Sequence, residues 1–126
     1  MPYLAQIEQR PSPDQLTDEE QRTLKKRFDA NAYEINVDGR RVEWGRIEEV
    51  EVAQAARETG LSGWIVKHLV FAGERYHVGI YFEGDEVVLT NITQATAAFV
   101  VATIAYYARQ PIRYSGIEGI APLRED

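Results

Sequence analysis

The chain has 126 residues, 14 Lys plus Arg against 20 Asp plus Glu, a net charge of -6 and no cysteine. That length suits one domain with a single core. The absence of cysteine excludes disulfides, thiolate metal sites and cysteine nucleophiles, and the negative charge disfavours nucleic acid and anionic membrane surfaces as partners.

Residues 1–16 hold three prolines and no sustained periodicity, which predicts an extended arm outside the core, followed by a single domain over 17–126. The opening MPYLAQIEQRPSPDQ lacks a basic segment followed by an apolar one, so no secretory signal is expected and the cytoplasm is the expected compartment. At Thr17 the pattern changes. Thr17 with Glu20 three residues later is a capping box, and Lys25, Lys26 and Arg27 suit a helix C-terminus, so a helix is predicted over 18–29 with Leu24 and Phe28 as its narrow apolar stripe.

The segment YEINVDGRRVEW alternates apolar and polar residues about Asp38-Gly39, the favoured pair for a type I′ hairpin turn. Pairing about that turn sets Ile35 opposite Val42 and Tyr33 opposite Trp44 on an inward face, with Glu34, Asn36, Arg41 and Glu43 outward. A third strand is expected over 46–53, Val50 and Val52 inward, Glu49 and Glu51 outward. WIVKHLVF (64–71) and YHVGIYF (76–82) predict a long hairpin, followed by the turn EGD and the short strand EVVLT. Tyr76, Val78, Ile80 and Phe82 share one face of the second of these strands.

NITQATAAFVVATIAYYAR predicts a helix over 92–109, capped by Asn91 with Gln94 and closed before Pro111. Its apolar stretch from Ala97 to Ala108 is too short for a membrane span, which needs roughly 20 residues. Phe99, Thr103 and Tyr106 are spaced to face the sheet, whereas Val100, Ile104 and Tyr107 form a neighbouring stripe that something else must cover: the first helix, the tail, or the same helix of a second subunit. A homodimer is expected on that ground.

Candidate chemistry is sparse. A turn at Gly73-Glu74 would set His68 diagonally from His77, but two strand histidines without a third ligand do not make a metal site. The acidic sets Glu48, Glu49, Glu51 and Glu83, Asp85, Glu86 follow from strand alternation and from a solvated turn. Ser62 and Ser115 have no local base, and no phosphate loop, nucleophile elbow or metalloprotease helix is present. No catalytic residue, metal ligand or cofactor is therefore expected. Tyr106 and Tyr107 suit a core better than a ligand cavity.

The element order, and Val42-Glu43-Trp44 followed by Arg46-Ile47-Glu48-Glu49-Val50, resemble bacterial pleckstrin-homology-like (PH-like) domains over about residues 33–109. The resemblance implies an α+β, mostly β fold: a bent antiparallel sheet or partly closed barrel of about six to seven strands, capped by a C-terminal helix and preceded by an N-terminal one. It also implies a non-catalytic docking or scaffold module. Members that bind lipid headgroups carry basic residues at the first hairpin, where this chain has Arg40 and Arg41 after Asp38 in a very tight turn, so membrane lipid is not the expected ligand. The alternative is a small ligand-binding or enzymatic domain with its pocket between the C-terminal helix and the sheet, near Tyr106, with His68 or His77 as polar anchor.

Overall fold

The computed structural model describes residues 3–4, 9–54, 75–120 and 123–124. The predicted strand 64–71, its turn, His68 and Ser62 lie outside the described residues. Two α-helices and nine strands are present among those described, in the order β1 (Tyr3–Leu4), α1 (Asp18–Arg27), β2 (Phe28–Ala30), β3 (Glu34–Val37), β4 (Arg40–Glu43), β5 (Ile47–Gln54), β6 (Tyr76–Phe82), β7 (Asp85–Ile92), α2 (Gln94–Tyr107), β8 (Arg113–Ser115) and β9 (Leu123–Arg124). The class is α+β with mostly strands. The strands form a two-stranded ladder β1-β9, a three-stranded sheet β2-β3-β4 and a four-stranded sheet β7-β6-β5-β8, and they do not close into a barrel among the described residues.

α1 starts where its capping box predicts: Thr17 Oγ1 accepts the Glu20 N–H and Glu20 Oε1 accepts the Thr17 N–H. It ends two residues earlier than expected. Phe28 turns to extended backbone, and its N–H closes the helix on the Leu24 carbonyl. Phe28 then opens β2 and pairs with Val37, so the stripe residue of the predicted helix is buried as a strand residue. The N-terminal arm is not wholly outside the core either. A short 3-10 turn at Pro13–Gln15, capped by Ser12, delivers Leu16 into the buried cluster.

The β3-β4 hairpin has the predicted register, with Ile35 opposite Val42 and Val37 opposite Arg40. Asp38 and Gly39 both have positive φ, 49° and 89°, as a type I′ turn requires. Its far end differs from expectation. The Asn31 side chain accepts the backbone N–H groups of Tyr33 and Glu34, an Asx turn that starts the strand one residue later and leaves Tyr33 82% exposed. Trp44 is not a strand residue: it opens a 3-10 turn, Trp44–Arg46, that carries the chain from one sheet to the other. Its indole N–H donates to the Asn31 carbonyl at 2.7 Å and its ring stacks on Tyr107, centroids 4.9 Å apart. Gln110 donates to the carbonyls of both Trp44 and Ile47, fastening the turn to the end of α2. The tryptophan beside a glycine is thus a joint between two sheets.

A bulge between Ile47 and Glu49 lets Ile47 and Val50 both point inward although they are three positions apart in the chain. A second irregularity in β7 lets Leu89 and Ile92 do the same, with Asn91 at φ 58°. The extra residue carries the strand past the predicted helix start. Asn91 therefore belongs to β7, and the cap of α2 is Thr93, whose hydroxyl accepts the Thr96 N–H. On α2 the buried residues are Thr96, Ala97, Val100, Val101, Thr103 and Ile104. Phe99 and Tyr106 are only half-buried, so the face that enters the core lies about one stripe away from the predicted one. Val100 and Ile104, the stripe from which a dimer is expected, have no exposed surface within the single chain.

The tail holds an element that has no local signature. β8 runs parallel to β5, Glu49 opposite Arg113 and Glu51 opposite Ser115, and the chain beyond it buries Ile117 and Ile120. Burial pushes the Tyr114 phenol up to about 12.

Candidate functional site

Three places on the described surface could do chemistry or binding. The first is the outer face of the four-stranded sheet. Strand pairing lays Arg113, Glu49, Tyr81 and Glu86 in one row across it, and Ser115, Glu51, Gly79 and Val88 in the next. The Tyr81 ring lies over Gly79: a Cβ at position 79 would meet Tyr81 Cε2 and Oη at 3.3 Å. A glycine in mid-strand thus seats the aromatic ring of its i+2 neighbour flat on the sheet. Glu51, Glu86 and Val88 are exposed around it, while Glu49 stands 3.8 Å from Arg113. Desolvation, then the charges of Glu51, Glu86 and Glu49, raise the pKa of the Tyr81 phenol. The result is an aromatic platform in a negative field.

The second place is a cleft of about 440 Å³ where α1 meets the N-terminus of α2 and β7, lined by Glu20, Arg27, Arg75, Thr93 and Thr96 among others. Glu20 serves both helix starts at once. Besides closing its own capping box, its Oε2 accepts hydrogen bonds from the hydroxyls of Thr93 and Thr96. Partial burial works to raise its pKa, but the bonds from Thr93, Thr17 and Thr96 outweigh that, and the net shift is downward. A carboxylate held ionised by donors from Thr17, Thr93 and Thr96 is a structural anchor and a poor general base.

Glu20→Gln should therefore destabilise the fold by about 1–2 kcal/mol at neutral pH, through loss of the charge-assisted bond from the Thr17 N–H and of those from the Thr93 and Thr96 hydroxyls. The sign of the pH effect follows from the depressed pKa. In the acid range the unfolded chain binds the proton more readily, so the stabilisation from Glu20 is present at neutral pH and is lost as pH falls through the carboxylate range. Urea unfolding from pH 7 downward should show wild type and Glu20→Gln converging. A difference that stays constant with pH would refute the role given to the ionised carboxylate.

The third place is a groove of about 310 Å³ between the N-terminal segment, α1, β2 and the Phe99, Thr103 and Tyr107 side of α2.

The residues singled out by sequence fare differently. The Nδ1 of His77 accepts the Asn91 N–H at 3.0 Å, so the imidazole supports the β7 bulge. Arg40 pairs with Asp85 at 2.7 Å and Arg46 with Glu83 at 2.8 Å, and both guanidinium groups lie over the Phe82 ring, 5.4 and 5.8 Å from its centroid. Glu48 accepts the Glu83 N–H. The Arg40–Asp85 pair joins the β3-β4 turn to the β6-β7 turn of the other sheet and leaves Arg41, beside Glu34 at 3.9 Å, as the more exposed of the hairpin arginines. Arg27 donates to both Asp38 carboxylate oxygens and to the Thr90 carbonyl, and Arg40 donates to the Glu86 carbonyl. Two side chains thereby cover outward carbonyls of the β7 edge, where a further strand would otherwise add. Tyr106 packs edge-on against Tyr107 and lines neither cleft. Ser115 sits exposed on the outer sheet face.

Among the described residues no three His, Asp or Glu side chains converge as metal ligands, and no helix is long and apolar enough to cross a membrane. The platform at Tyr81 was absent from the sequence-based candidates, although Gly79 inside an alternating strand, two residues before a tyrosine, was a readable signal for it. No protein-family model, curated protein or solved structure matches the chain.

Proposed function

We propose that this chain is a non-catalytic interaction module, a PH-like α+β domain that docks a Lys- or Arg-bearing segment of another protein on the outer face of its four-stranded sheet. One observation carries the reading: the Tyr81 ring seated on Gly79 with Glu49, Glu51 and Glu86 around it. An aromatic face flanked by carboxylates attracts a guanidinium or ammonium group through both cation–π and ion-pair contacts. Tyrosine is also enriched among residues that dominate interface energies. The same field favours a different protein over a second copy, because a two-fold contact would set acid against acid. The succession of antiparallel strands from β2 to β7, followed by one apolar helix, supports the PH-like assignment, and the cysteine-free composition suits the cytoplasm.

Immobilised chain should capture a partner with a basic segment from host extract. Tyr81→Ala and Glu51→Lys should each weaken that capture by about tenfold or more while leaving the unfolding midpoint in place. A partner retained equally by both variants, or recovery of the chain itself alone, would contradict the proposal. The two clefts favour a second reading, a small-ligand domain, which a thermal-shift panel of metals and metabolites tests.

A further inference from the structure

The geometry points to a second binding site, independent of the sheet face: the groove between the N-terminal segment, α1, β2 and α2 accepts a small amphipathic carboxylate, an apolar chain or ring ending in one negative charge. Its floor is built from Leu16, Leu24, Phe28, Phe99 and Tyr107. The polar side chains set among these are already engaged. Thr103 donates its hydroxyl proton to the Phe99 carbonyl at 2.8 Å, and the Gln21 amide donates to the Leu16 carbonyl at 3.0 Å. The floor therefore offers a ligand dispersion and desolvation, with little hydrogen bonding.

The charge lies at the lining's exposed positions. Arg10 and Lys25 both line the groove, are exposed, and have no hydrogen-bond or ion-pair partner among the described residues; Asp29 opposes them with one negative charge. An excess of one positive charge beside an apolar floor is notable on a chain of net charge -6. It matches a ligand with an apolar body and a single anionic end. A volume of about 310 Å³ is at the small end of ligand sites, which run from roughly 300 to 1,000 Å³, and so limits the body to a medium-length chain or a single ring system.

The test uses the full chain, labelled for amide NMR, titrated with decanoate below its micelle-forming concentration and, separately, with decyltrimethylammonium. Decanoate should produce saturable shifts at Leu24, Phe28, Phe99 and Tyr107. The cation of equal chain length should bind about tenfold more weakly or worse, and Arg10→Glu with Lys25→Glu should weaken decanoate by a similar factor. Both substitutions fall on exposed positions, and the cationic probe needs no variant at all. Absence of saturable shifts, shifts centred elsewhere, or equal binding of the two probes would overturn the assignment.

Discussion

Gly116→Ala should lower the unfolding free energy by about 3 kcal/mol or more, the largest effect expected from a single methyl group in this chain. Two costs combine. Gly116 has φ 71°, a conformation that L side chains rarely adopt, and a Cβ there would stand 1.9 Å from the Val52 carbonyl oxygen. That oxygen is backbone, in the middle of the four-stranded sheet, so it cannot swing aside as a side-chain tip would. The chain must instead lift away from β5, withdrawing β8 and the buried Ile117 and Ile120 beyond it. Gly39→Ala is the control: Gly39 also has positive φ, 89°, but open space where the methyl group would go, so only the conformational cost of about 1 kcal/mol applies. Urea unfolding of both variants checks the pair. A loss under about 1 kcal/mol for Gly116→Ala would mean that β8 does not dock on β5 as described.

Val100→Glu should abolish folding of the isolated chain. Val100 is fully buried on α2, so the substitution forfeits roughly 1.5–3 kcal/mol of apolar burial and places an unpaired carboxylate in the core at a cost of several more. Together these approach the total stability of an ordinary domain, about 5–15 kcal/mol. Ala95→Glu, at an exposed position in the first turn of the same helix, should be neutral or slightly stabilising, since an acid near a helix N-terminus suits the dipole. Circular dichroism and light scattering separate the outcomes. A folded Val100→Glu chain that only changes its oligomeric state would place the stripe in an interface between copies.

Much of the fold is legible because local chemistry and long-range packing agree. Asp38-Gly39 within an alternating segment defines its hairpin, and Thr17 with Glu20 defines a helix start, because each signal is complete within a few residues. Expectation and structure differ where a competing contact, local or distant, is decisive. Asn31 diverts Tyr33 outward through its side-chain oxygen, and Trp44, a good strand residue by propensity, is held in a turn by Asn31 and by Tyr107 and Gln110 at the end of α2. The cap of α2 is Thr93, two residues beyond the expected Asn91, because the bulge carries β7 through Asn91.

The candidate site is less legible than the fold for a related reason. Gly79 and Tyr81 are neighbours in sequence, and their stacking could be inferred from strand periodicity alone. Glu49, Glu51 and Glu86 join them only through the order β7-β6-β5, which depends on pairing between distant segments. Arg27 reads as a helix-end charge and nothing more until the edge of β7 is beside it. Three residues of parallel strand in the tail, β8, complete the row with Arg113 and carry no periodic signal of their own.

The most direct test of the sheet-face account is an amide NMR map of the full chain titrated with the basic segment of the captured partner. Shifts confined to Glu49, Glu51, Gly79, Tyr81, Glu86 and Val88, fading as salt is raised, are the expected result. Shifts that instead fall at the Arg40 and Arg41 hairpin or along α2, or that are indifferent to salt, would contradict it.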